Sequence, residues 1–508
     1  MDKLIDSRNK NYIRLDKILC TISYLFFIIP ILILLTFWFK WYISLPCSIL
    51  LIISFVLCIK KFKPKTNEEY TKIFNIKKIV IFIFIIIIIN ILSGSGGITF
   101  QNWDYKFRNT VLQDLIQKDW PVKYDYSNLE YEASKIKSDE GILSYYFTFW
   151  LPGAAIGKIF GFKIASLFMF FWQTLGVTLF FYLLIRYLNK IKLKYILVFL
   201  SIGGLDIISR LILNYITNSQ FELIGTVHID TSNSLFVMSS FLTQLFWVFN
   251  QSVTTWIIIM LLLNEKKYEN IGVMIALLLP FAPFPTIGLI IYSFIIIIFG
   301  FELNKKPSFS RITKCFSLQN ISAVLSVIPI GLMFLQNSSQ KGFVFLREYN
   351  NGNIKYFIIF YIMFLILEFG IYAVIINKDN WKRIITYFIL FSLIPLIYIG
   401  NGLDFSNRVT IPILVLLYID VLIFIDKKGY KIRKAFLCII LIIAFTTNFN
   451  EIYRSIKYTK INYQKGISLN FNDVYKTFSI FENKECDGLI TNFVSPVKDT
   501  FLFNYIIK

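Results

Sequence analysis

Six residues of this chain have the types and positions that surface chemistry requires. They are Asp104, Tyr105 and Arg108 in "WDYKFRN", His228 in "FELIGTVHIDTSNS", Gln251 in "QLFWVFNQSVTTW" and Arg408 in "GNGLDFSNRVTIP". Asp104 stands just beyond the charge-free run "IVIFIFIIIIINIL", at the boundary between hydrocarbon and water. A carboxylate placed there can take a proton from a hydroxyl, with its pKa tuned by its neighbours. The same residue type before a helix is also an ordinary N-cap. Arg408 enters an apolar run from a polar loop. Its guanidinium stays charged at every relevant pH and grips phosphate in a two-pronged geometry, although an arginine there can equally anchor a span by snorkelling. Arg108 and Lys106 suit the same anion or the lipid headgroups. His228 is the only histidine; Asp230 is near it, but no cysteine is, so the spacing is not that of a metal site. It can line an acceptor site or simply belong to a loop. Gln251 sits among Trp247, Asn250 and Trp256, a mixture of amides and aromatics that suits a sugar and also suits a membrane-interface belt. No phosphate-binding glycine loop, dinucleotide fingerprint or zinc spacing is present.

The elements that hold these residues follow from composition. The chain of 508 residues is 56% hydrophobic and 18% aromatic, with long apolar runs throughout. That excludes a soluble globular domain and predicts an all-α polytopic membrane protein. Thirteen apolar stretches qualify as spans, at about 18–38, 41–59, 79–93, 164–187, 193–208, 245–263, 269–280, 286–300, 319–335, 354–376, 384–400, 409–425 and 435–447. The first resembles a retained signal anchor. The net charge of +21 is read as positive-inside bias rather than as affinity for nucleic acid. With the N-terminus cytoplasmic, seven short inner segments hold 30 of the 52 Lys and Arg residues. This balance requires 141–161 to be an interfacial helix and not a span. The expected domains are an N-terminal hairpin with a basic loop (1–78), a transmembrane core (79–447) with an outer loop at 94–163, and a small extracytoplasmic C-terminal α/β segment (448–508). Only Cys486 would reach an outer aqueous compartment, so no disulfide is expected.

Within the outer loop, Phe107, Val111, Leu112, Leu115, Ile116 and Trp120 recur at helical spacing, which predicts an amphipathic helix over 104–120 lying flat on the outer leaflet. "DWP" ends it, and "LSYYFTFWLPGAAIGKIFG" supplies the second flat helix. "FFYLLIRYL" closes the next span, and "NRVTIPILVLL" opens a late one. This order of pieces resembles the GT-C glycosyltransferases, integral membrane enzymes that use polyprenyl-phosphate sugars. The resemblance covers roughly 79–425. It implies a GT-C-like fold, with Asp104 as catalytic base and with Arg408, Arg108, Tyr105, His228 and Gln251 as substrate-binding residues. It also implies a polyprenyl-phosphate-linked sugar donor and a cell-surface glycan, lipid or protein acceptor, at the outer face of a bacterial plasma membrane and in contact with membrane lipids. Many members carry two adjacent acids where this chain has Asp104 followed by Tyr105. One carboxylate makes a poor oxygen cage, so neither a metal nor another cofactor is expected.

Two other classes compete. A flippase for lipid-linked oligosaccharide would account for the many spans and the basic balance, but no internal repeat is visible. A surface-polysaccharide polymerase would place its chemistry in a large late loop, whereas the richest loop here is early. Three acids lie in or near spans: Asp206, Glu368 and Asp420. Asp420 is expected to be a boundary charge, and Glu368 has no assignment.

Overall fold

The computed structural model describes residues 2–65, 75–128, 136–217, 225, 229–232, 236–336, 343–345, 354–377, 381–399, 403–467, 479, 482, 490–497 and 501–508. Of the described residues, 78% are helical. Seven helical stretches among the described residues are long and apolar enough to cross a bilayer: Tyr12–Trp38, Trp41–Lys60, Phe162–Leu188, Leu193–Ile216, Leu318–Leu335, Ile354–Ile376 and Lys431–Gln464. The other expected spans form shorter helices, among them Ile76–Leu92, Phe249–Glu265, Pro283–Phe299 and Ile411–Asp426. The protein is a helical multi-pass membrane protein.

Each helix faces lipid with one side and protein with the other, although both sides are apolar. On Ile76–Leu92, Phe82, Ile86, Ile89 and Asn90 are buried at helical spacing, while Val80, Ile81 and Phe84 are exposed. Lipid is as apolar as leucine, so burial of carbon does not choose the inner side. Close packing and hydrogen bonds do. Here the choice is made by Asn90, whose Oδ1 accepts from Gln173 Nε2 at 2.8 Å on Phe162–Leu188.

Contacts sort the connecting segments into two ends. At one end Arg186 reaches Asp16 at 2.9 Å and Asn264 at 3.0 Å. Lys65 N–H also reaches Asp16, at 3.0 Å. Lys192 and Lys194 pair with Asp426 at 2.7 and 2.5 Å, and Lys61 donates to Gln319. These contacts join the segments that the charge pattern assigns to one side. At the other end, strand Glu140–Leu143 pairs antiparallel with both Lys123–Asp125 and Val494–Pro496, so the C-terminal tail completes a small sheet on the segment 94–163. Lys40 N–H, in the turn after the first span, donates to Ile506 O at 3.0 Å. The proline-rich turn after Ile271–Leu278 docks there too, its Pro280 carbonyl accepting from Thr148 Oγ1 at 2.8 Å.

Several expectations change. The segment 141–161 is not one flat helix. It begins in a strand and becomes helical only from Phe147, with the α-helix at Leu151–Phe160. Strand pairing with the tail overrides its apolar run. The helix expected over 104–120 forms as Tyr105–Gln117, but its polar face is also covered: Asn109, Gln113 and Asp114 are buried. It is enclosed by protein and does not float on a leaflet. Asp420 is no boundary charge. It is 4% exposed, bonded to Arg383 at 2.7 Å and to Tyr387 at 2.5 Å. The helix Lys431–Gln464 runs unbroken through residue 448, where the C-terminal segment was expected to begin.

The two ends give a direct test. With reactive native cysteines removed, a single cysteine replacing Lys123 should react with an impermeant thiol reagent in intact cells, and one replacing Lys63 should react only after permeabilisation. Reversed labelling would place the sheet on the cytoplasmic side.

Candidate functional site

Asn102 starts the helix that carries Asp104. Its Oδ1 accepts the Asp104 N–H at 3.2 Å, and its Nδ2 donates to Phe246 O at 2.7 Å. Asp104 therefore occupies the N-cap position with helical backbone angles and makes no capping bond through its side chain. Its carboxylate turns to the next turn of the helix, where Arg108 Nη2 lies 2.9 Å from Oδ2. Arg108 is 7% exposed and lies over the rings of Phe249 and Tyr105, at 5.0 and 5.4 Å from their centroids. Its Nη1 has no partner.

Arg408 is built the same way on the short helix Asp404–Val409. Its Nη2 is 2.8 Å from Asp404 Oδ1, four residues earlier, and its Nη1 approaches Tyr146 Oη at 3.5 Å. Its Nε is buried without a partner. This helix sits close because Gly288 on Pro283–Phe299 meets the Val409 carbonyl: a Cβ there would lie 2.1 Å from that oxygen. Arg408 acts on Asp104 through its charge, so two residues 304 positions apart in sequence share one electrostatic site. The order Asp-x-x-x-Arg occurs in both halves, as "DYKFR" and "DFSNR". That repeat was readable in the sequence, and it identifies Asp404, which sequence reasoning passed over.

Asp104 is recessed but open. Its side chain is 29% accessible, yet loss of hydration is the largest influence on it and raises its carboxyl above the usual range. Arg108 and Arg408 pull it back, and Asp404 adds to the rise. For Arg408, burial works against the charged form, but Asp404, Tyr146 and Tyr145 outweigh it and hold the guanidinium above its usual value. Two buried N–H-bearing groups without partners, beside a carboxylate that keeps contact with water, make a place for an anion and a hydroxyl together.

Aromatic residues wall this recess. Tyr146 and Tyr145 meet as tilted rings at 3.8 Å, Tyr145 and Phe493 likewise at 4.5 Å, and Phe493 stacks on Phe107 at 5.4 Å. Phe493 comes from the tail, which no local pattern around Asp104 could reveal. Tyr105, expected to bind substrate, donates its hydroxyl to Ser93 O at 3.1 Å and stacks its ring on Phe249. Gln251 is 0% exposed, and neither of its side-chain polar atoms has a partner. His228 lies outside the described residues. No protein-family model, curated protein or solved structure matches the chain.

The tail is tied to the same helix by a second acid. Asp114 Oδ2 accepts from Ser479 Oγ at 2.7 Å and Tyr124 Oη at 2.9 Å, and Lys118 pairs with Glu482 at 2.5 Å. Burial pushes the Asp114 carboxyl up to about 6; Ser479, Tyr124 and Lys118 oppose the rise, and Glu482 adds to it. A carboxyl held above its unfolded value favours the docked state in acid. That contribution is complete below about pH 4 and is lost as pH rises through about 6. Hydrogen exchange of the segment around Ser479 should therefore slow as pH falls from 8 to 5 (after correction for intrinsic rates), and Asp114→Asn should abolish this pH dependence.

Proposed function

We propose that this protein is a membrane glycosyltransferase of the GT-C type. It moves a sugar from a polyprenyl-phosphate donor to a cell-surface glycan, lipid or protein on the outer face of a bacterial plasma membrane. In this reading the chain crosses the membrane about thirteen times and places the sheet of the first outer loop outside. Asp104 is the base that takes the acceptor proton. Arg408 and Arg108 hold the donor phosphate and offset its growing charge as the glycosidic bond breaks. One observation carries the reading: Arg408 reaches Tyr146, and the ring contacts from Tyr146 through Tyr145 and Phe493 end on Phe107, on the helix where Arg108 stands against Asp104. Membrane anchoring alone gives no reason for an arginine of one loop to be joined in this way to an acid of another. A base and a phosphate ligand must flank one sugar, and that requirement does.

Several features fit the transfer step. The carboxyl of Asp104 is raised by burial, which makes it a better proton acceptor than an exposed aspartate. The guanidinium N–H groups without partners are already buried, so little reorganisation is needed when a phosphate arrives. Phe493, Tyr145 and Tyr146 offer flat apolar faces to a sugar ring.

Two substitutions test the roles. Asp104→Asn preserves shape and the backbone start of the helix, so the protein should insert and melt as wild type does. Sugar transfer from a labelled polyprenyl-phosphate donor in isolated membranes should fall about a hundredfold or more. Arg408→Lys keeps the charge and loses the fork. Transfer should drop at low donor concentration, and Arg408→Ala should be worse. Lysine equal to wild type would return Arg408 to an interfacial anchor.

A further inference from the structure

A second set of ionisable groups lies inside the bundle, away from Asp104. The span Leu193–Ile216 is interrupted at Ile202–Leu205, between the helices Leu193–Ser201 and Asp206–Thr217. Facing the break, Ile354–Ile376 loosens into a π-helical turn at Leu365–Gly370. The two irregularities fit together. Leu205 N–H donates to Leu367 O at 3.1 Å, and Tyr372 Oη donates to Gly203 O at 3.0 Å. Glu368, in the π-turn, lays its carboxylate on Gly204, where a Cβ would come within 1.9 Å of Oε2. Only glycine admits that carboxylate. It meets the carboxyl of Asp206, the first residue after the break. Asp206 Oδ2 also accepts from Thr447 Oγ1 at 2.9 Å.

The remaining oxygens are what demand explanation. Asp206 Oδ1 and Glu368 Oε2 have no partner, in side chains 1% and 5% exposed. A third buried acid lies on a separate segment. Asp230 lies on the short turn Ile229–Ser232, which packs on Asp206–Thr217. It is 1% exposed; its Oδ2 accepts from Ser240 N–H at 3.3 Å and its Oδ1 has no partner. Among the described residues, the charges that act on Glu368 are those of Asp206 and Asp230. Arg454, on Lys431–Gln464, is engaged by Glu451 at 3.1 Å. Tyr372 faces the pair with its hydroxyl already committed. Carboxylates do not hydrogen-bond one another without a proton, and ionised acids in a membrane interior are too costly to leave uncompensated. Among the described residues no group of His, Cys, Asp and Glu is disposed to hold a metal ion.

We infer that Asp206 and Glu368 form a proton-binding site within the membrane-spanning bundle, sharing one proton across the broken helix. The π-turn and the unwound segment exist to bring the two carboxyls into contact. The helix Leu193–Ser201, about 14 Å long, separates them from the basic end of the bundle. This inference does not depend on glycosyl transfer.

Infrared spectroscopy of the full-length protein in lipid nanodiscs tests it. At pH 7 the wild type should show the carbonyl stretch of a protonated carboxylic acid, shifted in heavy water. Glu368→Gln and Asp206→Asn should each remove it, while Asp104→Asn should leave it. Should both pair variants fail to fold, Thr447→Val, which removes the donor to Asp206 Oδ2, provides the remaining test. With that donor gone the ionised form is less favoured, so the proton should be lost at a higher pH. Absence of the band in the wild type at pH 7 would overturn the inference, as would a band that survives both pair substitutions. So would a titration that Thr447→Val leaves unchanged, or a band that sodium chloride abolishes, since a metal cation and not a proton would then be the ligand.

Discussion

Water is excluded from the middle of this bundle, so a polar group that enters must find its partner in the protein. The fold is largely an answer to that demand. Asn90 on a charge-free helix is met by Gln173 and closes Ile76–Leu92 onto Phe162–Leu188. Arg186 and Asp16 meet with both side chains nearly enclosed, and Tyr182 and Lys65 add further bonds to the same aspartate. Asp420 is met by Arg383 and Tyr387. In lipid these pairs do more than decorate the packing. Apolar surface is no worse off facing lipid than facing another helix, so directional bonds decide which helices are neighbours.

Against that background, the groups left without partners stand out. Some of them lie at two places of interest, Arg108 and Arg408 in the recess of Asp104 and Asp206 and Glu368 at the break. The two differ in balance. In the recess, two acids alternate with two arginines, so the site is near neutral and spare donors are what it offers. At the break the two acids meet one another, with Thr447 donating to Asp206. The first arrangement suits an anion arriving from outside, and the second suits a proton already held within.

Much of the outline was legible in the sequence because it depends on composition and short-range spacing. The helix Tyr105–Gln117 followed from a 3.6-residue repeat, and the grouping of the loops followed from lysine and arginine. What stayed hidden depends on distant partners. The strand Glu140–Leu143 lies in an apolar stretch that reads as helix, and only pairing with Val494–Pro496 makes it a strand. Asp420 looked like a boundary charge because Arg383, its partner, lies 37 residues away on another helix. Glu368 had no visible reason to be where it is, because Gly204 and Asp206 are more than 160 residues earlier. The repeated Asp-x-x-x-Arg was different. It was present in the text of the chain, and was passed over because the first copy was weighed as a cap and the second for its arginine alone.

One segment connects the two polar centres. Ser239 bonds Asn407, the neighbour of Arg408, through both its N–H and its hydroxyl, at 2.9 and 3.0 Å. Ser240 bonds Asp230 and, at 2.6 Å, Asn448, which also reaches the Ile202 carbonyl at the break. Further on, Phe246 O accepts from Asn102, two residues before Asp104, and Trp247 donates to Glu451 on the same face of Lys431–Gln464 as Asn448. The stretch from Ser239 to Trp247 is therefore bonded to both acid-bearing loops of the recess and to the walls of the break. Its hydrogen bonds fix the two sites in one frame, so a change in the spacing of the buried carboxyls has to be absorbed by the residues that position Asp104 and Arg408. In a bundle where unmade hydrogen bonds are costly, that is a stiffer connection than apolar contact would provide.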